Sequence, residues 1–520
     1  MRAIFSALTL VLLTIACKDE VKIDHSISAG SVAGDIVKVT TTLTEEEDRT
    51  IEYWKLIVPE NRSDANTRLI SLPVKIIRSS SESPSEPLFY LSGGPGGSNL
   101  SHKPHDKILE KRDVVLVGYR GVDGMVRLDC ADLFASSSGN NLFDPETSEA
   151  IRERMKKCVS DLQAKGVDLD GYTMLEVVAD LDAARKALGN SRINLLSASY
   201  GTRLAQFYGY EYPEKVIRSV MVSVNPPGHF VWERETLDRQ INYYAQLCAQ
   251  DPYCSSRTND LAETMRKVNH DMPKKWLFFG IDPDKVRMAA FMGLYHRGSA
   301  ASVFDTYVAA ENGDPSGLAL VSLMFDVQMG MMDFSWGDSY AKAYPDFDPN
   351  RDYLHDMGLG NSIMGSPGSQ TFATMDAWPG KALPERFKKP QISEVETLLL
   401  SGNIDFSTPA EFATDELLPF LPNGKQVIVS VMGHTGDVMR FNEDAFIHLL
   451  TTYLESGTVD DSKFETVPMN FEPDDRFQVM AKIGLAILVA LVILLIWLGY
   501  KLGKKVILSL GVEKFPKKRH

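Results

Sequence analysis

From Tyr53 onward, short apolar runs separated by polar turns recur at Tyr53–Val58, Leu69–Ile77, Leu88–Leu91 and Val114–Val117. Runs of this length, bounded by turn-forming residues, predict strands. Helical spacing over Met174–Leu188 then precedes an apolar strand at Ile193–Leu196, a helix over Thr202–Tyr210 and a strand at Val216–Val222. Antiparallel strands leading into β–α alternation predict an α/β sheet with helices on its faces. Between about Gly228 and Glu385, Met- and aromatic-rich helical stretches replace the alternation. That change predicts an inserted helical cap. Strands return at Thr397–Leu400 and Gln426–Met432, and a helix covers Glu443–Tyr453.

The two ends of the chain have a different pattern. Arg2–Ala16 is an apolar leader too short to span a bilayer, and Leu13-Thr14-Ile15-Ala16-Cys17 resembles a bacterial lipobox, with Cys17 as the lipidated first residue of the mature chain. Ile483–Tyr500 is an uncharged apolar run that, with its flanks, reaches the roughly 20 residues of a transmembrane helix. Trp497 and Tyr500 suit one interface, and Lys501, Lys504 and Lys505 follow at once. The positive-inside rule then places the C-terminus in the cytoplasm and the body outside it. The expected location is the bacterial envelope, at the periplasmic face of the inner membrane.

These patterns divide the chain into a signal peptide (1–16), an N-terminal tether (17–40), a first part of the α/β core (41–227) and a helical cap (228–385). A second part of the core (386–456), a solvated acidic stalk (457–480), a transmembrane helix (481–500) and a basic cytoplasmic tail (501–520) complete it.

A formal net charge of −14 over 520 residues, with no basic stripe in the body, argues against nucleic-acid binding. Besides Cys17, four cysteines remain, an even number that in an exported chain suggests two disulfides. Cys248 and Cys254 flank a turn-forming interval, and Cys130 then pairs most simply with Cys158. No Cys-x-x-Cys or His-x-x-x-His spacing points to a metal, and no cofactor is expected.

The chemistry concentrates around Ser199. Ser197-Ala198-Ser199-Tyr200-Gly201 lies between a strand and a helix, where a tight turn lifts a serine hydroxyl above a sheet near a helix N-terminus. After the cap, Asp405 follows the Leu398–Leu400 run and precedes Thr408-Pro409-Ala410-Glu411, which reads as N-cap, N1 proline and capping-box glutamate. His434 follows the second returning strand, in Gly433-His434-Thr435-Gly436. The order Ser199, Asp405, His434 is that of the α/β-hydrolase triad: nucleophile, orienting carboxylate and general base. Strand Leu88–Leu91 leads into Ser92-Gly93-Gly94-Pro95-Gly96-Gly97, whose Gly94 N–H, with that of Tyr200, would form an oxyanion hole. The loop lacks the Gly-Lys-Ser/Thr ending of a phosphate-binding P-loop.

With these motifs in place, the chain resembles the proline iminopeptidase and tripeptidyl aminopeptidase family of α/β-hydrolases. The resemblance is carried by Val58-Pro59-Glu60-Asn61-Arg62, Gly93-Gly94-Pro95-Gly96-Gly97, Arg120-Gly121, Asp180-Leu181, Ser199-Tyr200-Gly201-Thr202, the Cys248/Cys254 loop, Asp405…Thr408-Pro409 and Gly433-His434. It implies release of residues or short peptides from free N-termini through an acyl-enzyme, beneath a helical cap that restricts access. Peptides with free N-termini are the expected partners, with membrane lipid contacted through Cys17 and the C-terminal helix. An anion must hold the substrate ammonium, and Asp333 and Asp338 of the cap are candidates. Ser92 and Ser197 replace the histidine and glycine of the family pattern. Two alternatives therefore stand beside the peptidase: a small-molecule esterase or amidase, and a catalytically silent binding protein.

Overall fold

The computed structural model describes residues 21, 23–44, 49–134 and 141–509. The expected signal peptide, Cys17 and residues 510–520 of the basic tail lie outside the described residues.

In chain order the strands are β1 (Ile36–Thr44), β2 (Arg49–Pro59), β3 (Leu69–Ile77), β4 (Ser85–Leu91), β5 (Arg112–Val117), β6 (Ile193–Ala198) and β7 (Val216–Val222). They continue as β8 (Lys275–Trp276), β9 (Phe279–Gly280), β10 (Glu396–Gly402) and β11 (Gly424–Val429). Among the described residues, nine form one sheet ordered β1-β2-β3-β5-β4-β6-β7-β10-β11, and β8 and β9 form a small hairpin. Pairing is antiparallel from β1 to β5 and parallel from there to β11. β6 is buried along its whole length, as a parallel strand covered by helices on both faces must be. Ligands of such sheets bind beyond the C-terminal strand ends. Here β6, β10 and β11 deliver Ser199, Asp405 and His434 to that edge.

β1 occupies part of the segment expected to be a tether. It pairs along β2 from Ile36↔Leu56 to Thr44↔Arg49 while Val37 and Leu43 stay exposed, as on a sheet edge with only one neighbour. The elbow helix begins at Tyr200, two residues before the expected start.

The insertion between β7 and β10 is not one separate cap over residues 228–385. Its first part packs around Leu237, Ile241, Met265, Phe304 and Leu318, and Cys248–Cys254 closes a loop there. Its later part joins the main core through Tyr340, Tyr353, Phe372, Trp378 and Phe387. Phe387 packs on Phe207 of the elbow helix, with ring centroids 4.9 Å apart. These side chains share one buried cluster with the core helices, while Tyr353 also packs on Phe372 with ring centroids 5.5 Å apart. Cys130–Cys158 ties the segment after β5 to the helix Pro145–Ala164.

The acidic segment after Gly457 is not a free stalk either. Met469 and Phe471 are buried in the cap core, and the Pro468 carbonyl accepts a 2.7 Å hydrogen bond from Arg297. Two apolar anchors outweigh the solvation of the surrounding carboxylates. The final helix, Phe477–Ser509, contains a stretch, Phe477–Leu502, long and apolar enough to cross a membrane (mean hydropathy 2.9 over its most apolar 18 residues).

Candidate active site

Ser199 stands between β6 and the helix Tyr200–Glu211 with φ 52° and ψ −124°, a conformation that costs a non-glycine residue about 1–3 kcal/mol. Local bonds hold it there. The Ser199 N–H donates to Val222 O (2.9 Å), and the Thr202 hydroxyl donates to Ser199 O (2.6 Å). Gly201 is required by space: a Cβ there would stand 2.2 Å from the Leu91 carbonyl oxygen. Ser197, by contrast, fits the turn fully buried, its hydroxyl donating to Val220 O at 3.2 Å.

The structure brings Ser199, His434 and Asp405 together. His434 Nε2 lies 2.9 Å from Ser199 Oγ, and its Nδ1 lies 2.9 and 3.0 Å from the two oxygens of Asp405. With Nδ1 protonated towards the carboxylate, Nε2 presents a lone pair to the serine hydroxyl. The His434 loop is anchored by a 2.7 Å bond from its N–H to Tyr295 O, and the Tyr295 ring lies edge-on at 5.4 Å.

Asp405 is completely buried. Burial would raise its pKa, but the His434 charge and hydrogen bond, the Thr408 N–H and the Ser223 hydroxyl prevail and hold it below the usual carboxylate range. The carboxylate itself caps the following turn, accepting from the N–H groups of Ser407 (2.9 Å) and Thr408 (2.8 Å). Thr408 is thus not the N-cap expected from sequence. Its hydroxyl donates to Asp405 Oδ2 at 2.9 Å and lies 3.2 Å from His434 Nδ1, while Glu411 is exposed. The segment Phe412–Leu417 winds as a π-helix.

The glycine loop after β4 abuts the nucleophile. A Cβ on Gly93 would lie 3.0 Å from Ser199 Cβ and 3.5 Å from its Oγ. The next residue, Gly94, has φ +136° and precedes a cis peptide to Pro95. Asn99, fully buried, holds the loop in shape: it accepts from Ser92 N (2.8 Å) and donates to Tyr90 O (3.0 Å) and Val117 O (2.9 Å). Sequence reading passed over Asn99, whose only local signal is a polar residue closing a glycine run. Ser92 turns its hydroxyl to Ser98 O at 3.2 Å.

Neither cap acid offered for the substrate ammonium is free. Asp338 is buried in an ion pair with Lys342, and Asp333 points into solvent and pairs with Arg127 at 2.8 Å. The motif residues near the chain start form an ion network instead. Fully buried Arg120 binds Asp180 through two nitrogens (2.6 and 2.7 Å) and the carbonyls of Pro59, Glu60 and Gly171. Arg62 joins from the surface to Glu176 and Asp180. Among the described residues no cluster of three or more His, Cys, Asp or Glu is arranged to hold a metal.

The α/β hydrolase fold family matches residues 86–269, and the TAP-like protein family matches residues 362–465. The tripeptidyl aminopeptidase of Streptomyces lividans is 28% identical over 206 residues, covering 36% of this chain and 38% of that protein. The proline iminopeptidase of Lactobacillus delbrueckii subsp. lactis is 27% identical over 157 residues, covering 30% and 42%. The serine protease Hip1 of Mycobacterium tuberculosis is 33% identical over 85 residues, covering 15% and 16%. Each match takes in less than half of the relative's own length.

Proposed function

Since the chain belongs to the proline iminopeptidase and tripeptidyl aminopeptidase family of α/β-hydrolases, we propose that it is a membrane-tethered serine peptidase of aminopeptidase type. One observation carries the reading: a buried carboxylate, an imidazole and an exposed-side hydroxyl linked by hydrogen bonds of 2.9–3.0 Å.

In this mechanism Ser199 Oγ attacks the scissile carbonyl carbon while His434 Nε2 takes the hydroxyl proton. Asp405 stabilises the imidazolium that results. The carbonyl oxygen becomes an oxyanion, received by the N–H groups of Gly94 and Tyr200, each typically worth roughly 2.7–4 kcal/mol in the transition state. His434 then protonates the leaving amine as the C–N bond breaks, leaving an acyl-Ser199 ester. Water, deprotonated by His434, hydrolyses that ester and returns the proton to Ser199. The apolar helix Phe477–Leu502 supports anchorage in the inner membrane, with the body on the periplasmic side.

A fluorophosphonate should label the protein and fail to label Ser199→Ala, which should lose activity about 10⁶-fold. Substrates with free and acylated amines, assayed beside simple esters, test the exopeptidase assignment. Turnover of acylated amides or esters alone would support an esterase or amidase, the reading favoured by the engagement of Asp333 and Asp338 elsewhere.

A further inference from the structure

We infer that the helix Ser316–Met331 and the tip of the β8–β9 hairpin form a second membrane contact, seated in the lipid surface beside the C-terminal helix. This inference rests on the tethered reading above and specifies how the body meets the bilayer.

The C-terminal helix meets the cap before it leaves it. Ala481 is buried, Gln478 Nε2 donates to Asp305 Oδ2 at 2.5 Å, and Lys482 pairs with Asp314 at 2.6 Å. From Ile483 to Tyr500 the helix carries no charge. At about 1.5 Å per residue, the hydrocarbon-compatible run starts within a few ångströms of the Lys482–Asp314 pair. A bilayer around that run therefore reaches the cap surface directly, with no stalk between.

The helix Ser316–Met331 starts at this point. Ser316 Oγ donates to Gln478 O (3.3 Å), and Gly317 allows close approach, since a Cβ there would lie 3.1 Å from Gln478 N. The two helices begin together and pack side by side. Beyond Ser322 the cap helix turns Leu323, Met324, Val327 and Met331 outwards; Leu323, Val327 and Met331 follow one another at i, i+4 spacing on one face, Leu323 being 56% exposed. Its one charged residue, Asp326, is itself exposed but neutralised by an ion pair with buried Lys285 at 2.6 Å. The hairpin packs on this helix and exposes Leu277 and Phe278, the latter 72% exposed.

An apolar patch of this kind, its one helix charge paired with Lys285, marks an interaction surface. Its continuity with the apolar C-terminal helix, against which the cap helix packs, selects lipid rather than protein as the occupant. Residues 332–335 then lead from the patch to the glycine loop of the candidate site, with the Ser335 N–H donating to Gly96 O at 2.9 Å.

The test uses the full chain in vesicles of phosphatidylethanolamine with a minor share of phosphatidylglycerol. Leu323→Cys, Val327→Cys, Phe278→Cys, Leu495→Cys and Glu82→Cys are labelled singly with nitrobenzoxadiazole, the parent chain serving as blank. Spin-labelled lipid should quench about half or more of the emission at 278, 323 and 327 as well as at 495, and spare 82. Quenching at 495 alone overturns the second contact and leaves the tether standing. Blue-shifted but unquenched labels at 278, 323 and 327 assign the patch to a second copy and also overturn it. An unquenched label at 495 overturns the tether itself, whereas fluorophosphonate labelling reports separately on the serine hydrolase assignment.

Discussion

The Thr408 hydroxyl donates to Asp405 Oδ2 across 2.9 Å, while the N–H of the same residue serves Oδ1 of that carboxylate. One residue therefore fixes both oxygens that face His434. Replacing it by the isosteric valine keeps the N–H and removes the hydroxyl. Thr408→Val should lower kcat roughly 10- to 100-fold with little change in KM, since a hydrogen bond to a charged group is worth about 1.5–3 kcal/mol. Unchanged kcat in steady-state kinetics would show that the hydroxyl does not hold the carboxylate.

The elbow tolerates change at one small residue and not at the other. Ser197→Gly removes one 3.2 Å bond to Val220 O and should leave activity within about threefold of the parent. Gly201→Ala forces a Cβ to 2.2 Å from Leu91 O, with no flexible side chain to give way. That variant should lose soluble expression or fluorophosphonate labelling. Full labelling of Gly201→Ala would show that β4 can retreat from the elbow helix.

Arg120 and Asp180 bond to each other, with Arg120 also holding three backbone carbonyls, and should govern folding rather than chemistry. Asp180→Asn leaves a buried guanidinium short of its counter-charge, a loss on the order of 3–5 kcal/mol. Denaturant titration should register that fall, while kcat of the protein still folded stays close to the parent. A selective loss of kcat at unchanged stability would contradict this division of roles.

His102 stacks on Tyr90 with ring centroids 3.7 Å apart. Burial, together with the Arg440 and Lys75 charges, pushes its imidazole down to about 4. The unfolded chain takes up that proton near pH 6.5, so from about 6.5 down to 4 only the unfolded state binds it. Stability from this group is complete above about pH 6.5 and declines as pH falls through the window, by at most about 3 kcal/mol. His102→Phe preserves the stack and should remove that part of the slope in melting temperature against pH.

Strands buried on both faces were legible in the sequence. β3 and β7 run over the predicted Leu69–Ile77 and Val216–Val222 because each is mostly apolar, broken only by Ser71 and Lys75 in one and by Arg218 and Ser219 in the other. β1 was not, because an edge strand mixes threonine and lysine with exposed valines and reads as polar chain. The chain order of Ser199, Asp405 and His434 could be read because each follows an apolar strand. Thr408 was read as a helix cap, since its service to Asp405 depends on how the turn folds back. Arg120 takes partners from Pro59-Glu60, Gly171 and Asp180, three stretches that no local periodicity relates. Helical periodicity also gave no sign that Tyr340 and Trp378 belong to the main core.

The bond from Ser335 to Gly96 O ties this stretch of the insertion to the glycine loop. Phe334 fills the space beside Gly96, where a Cβ would come within 2.7 Å of its ring. Residues 334 and 335 cannot shift without pulling on the glycine loop beside Ser199. A disturbance at Phe334 is therefore transmitted through the backbone to the nucleophile.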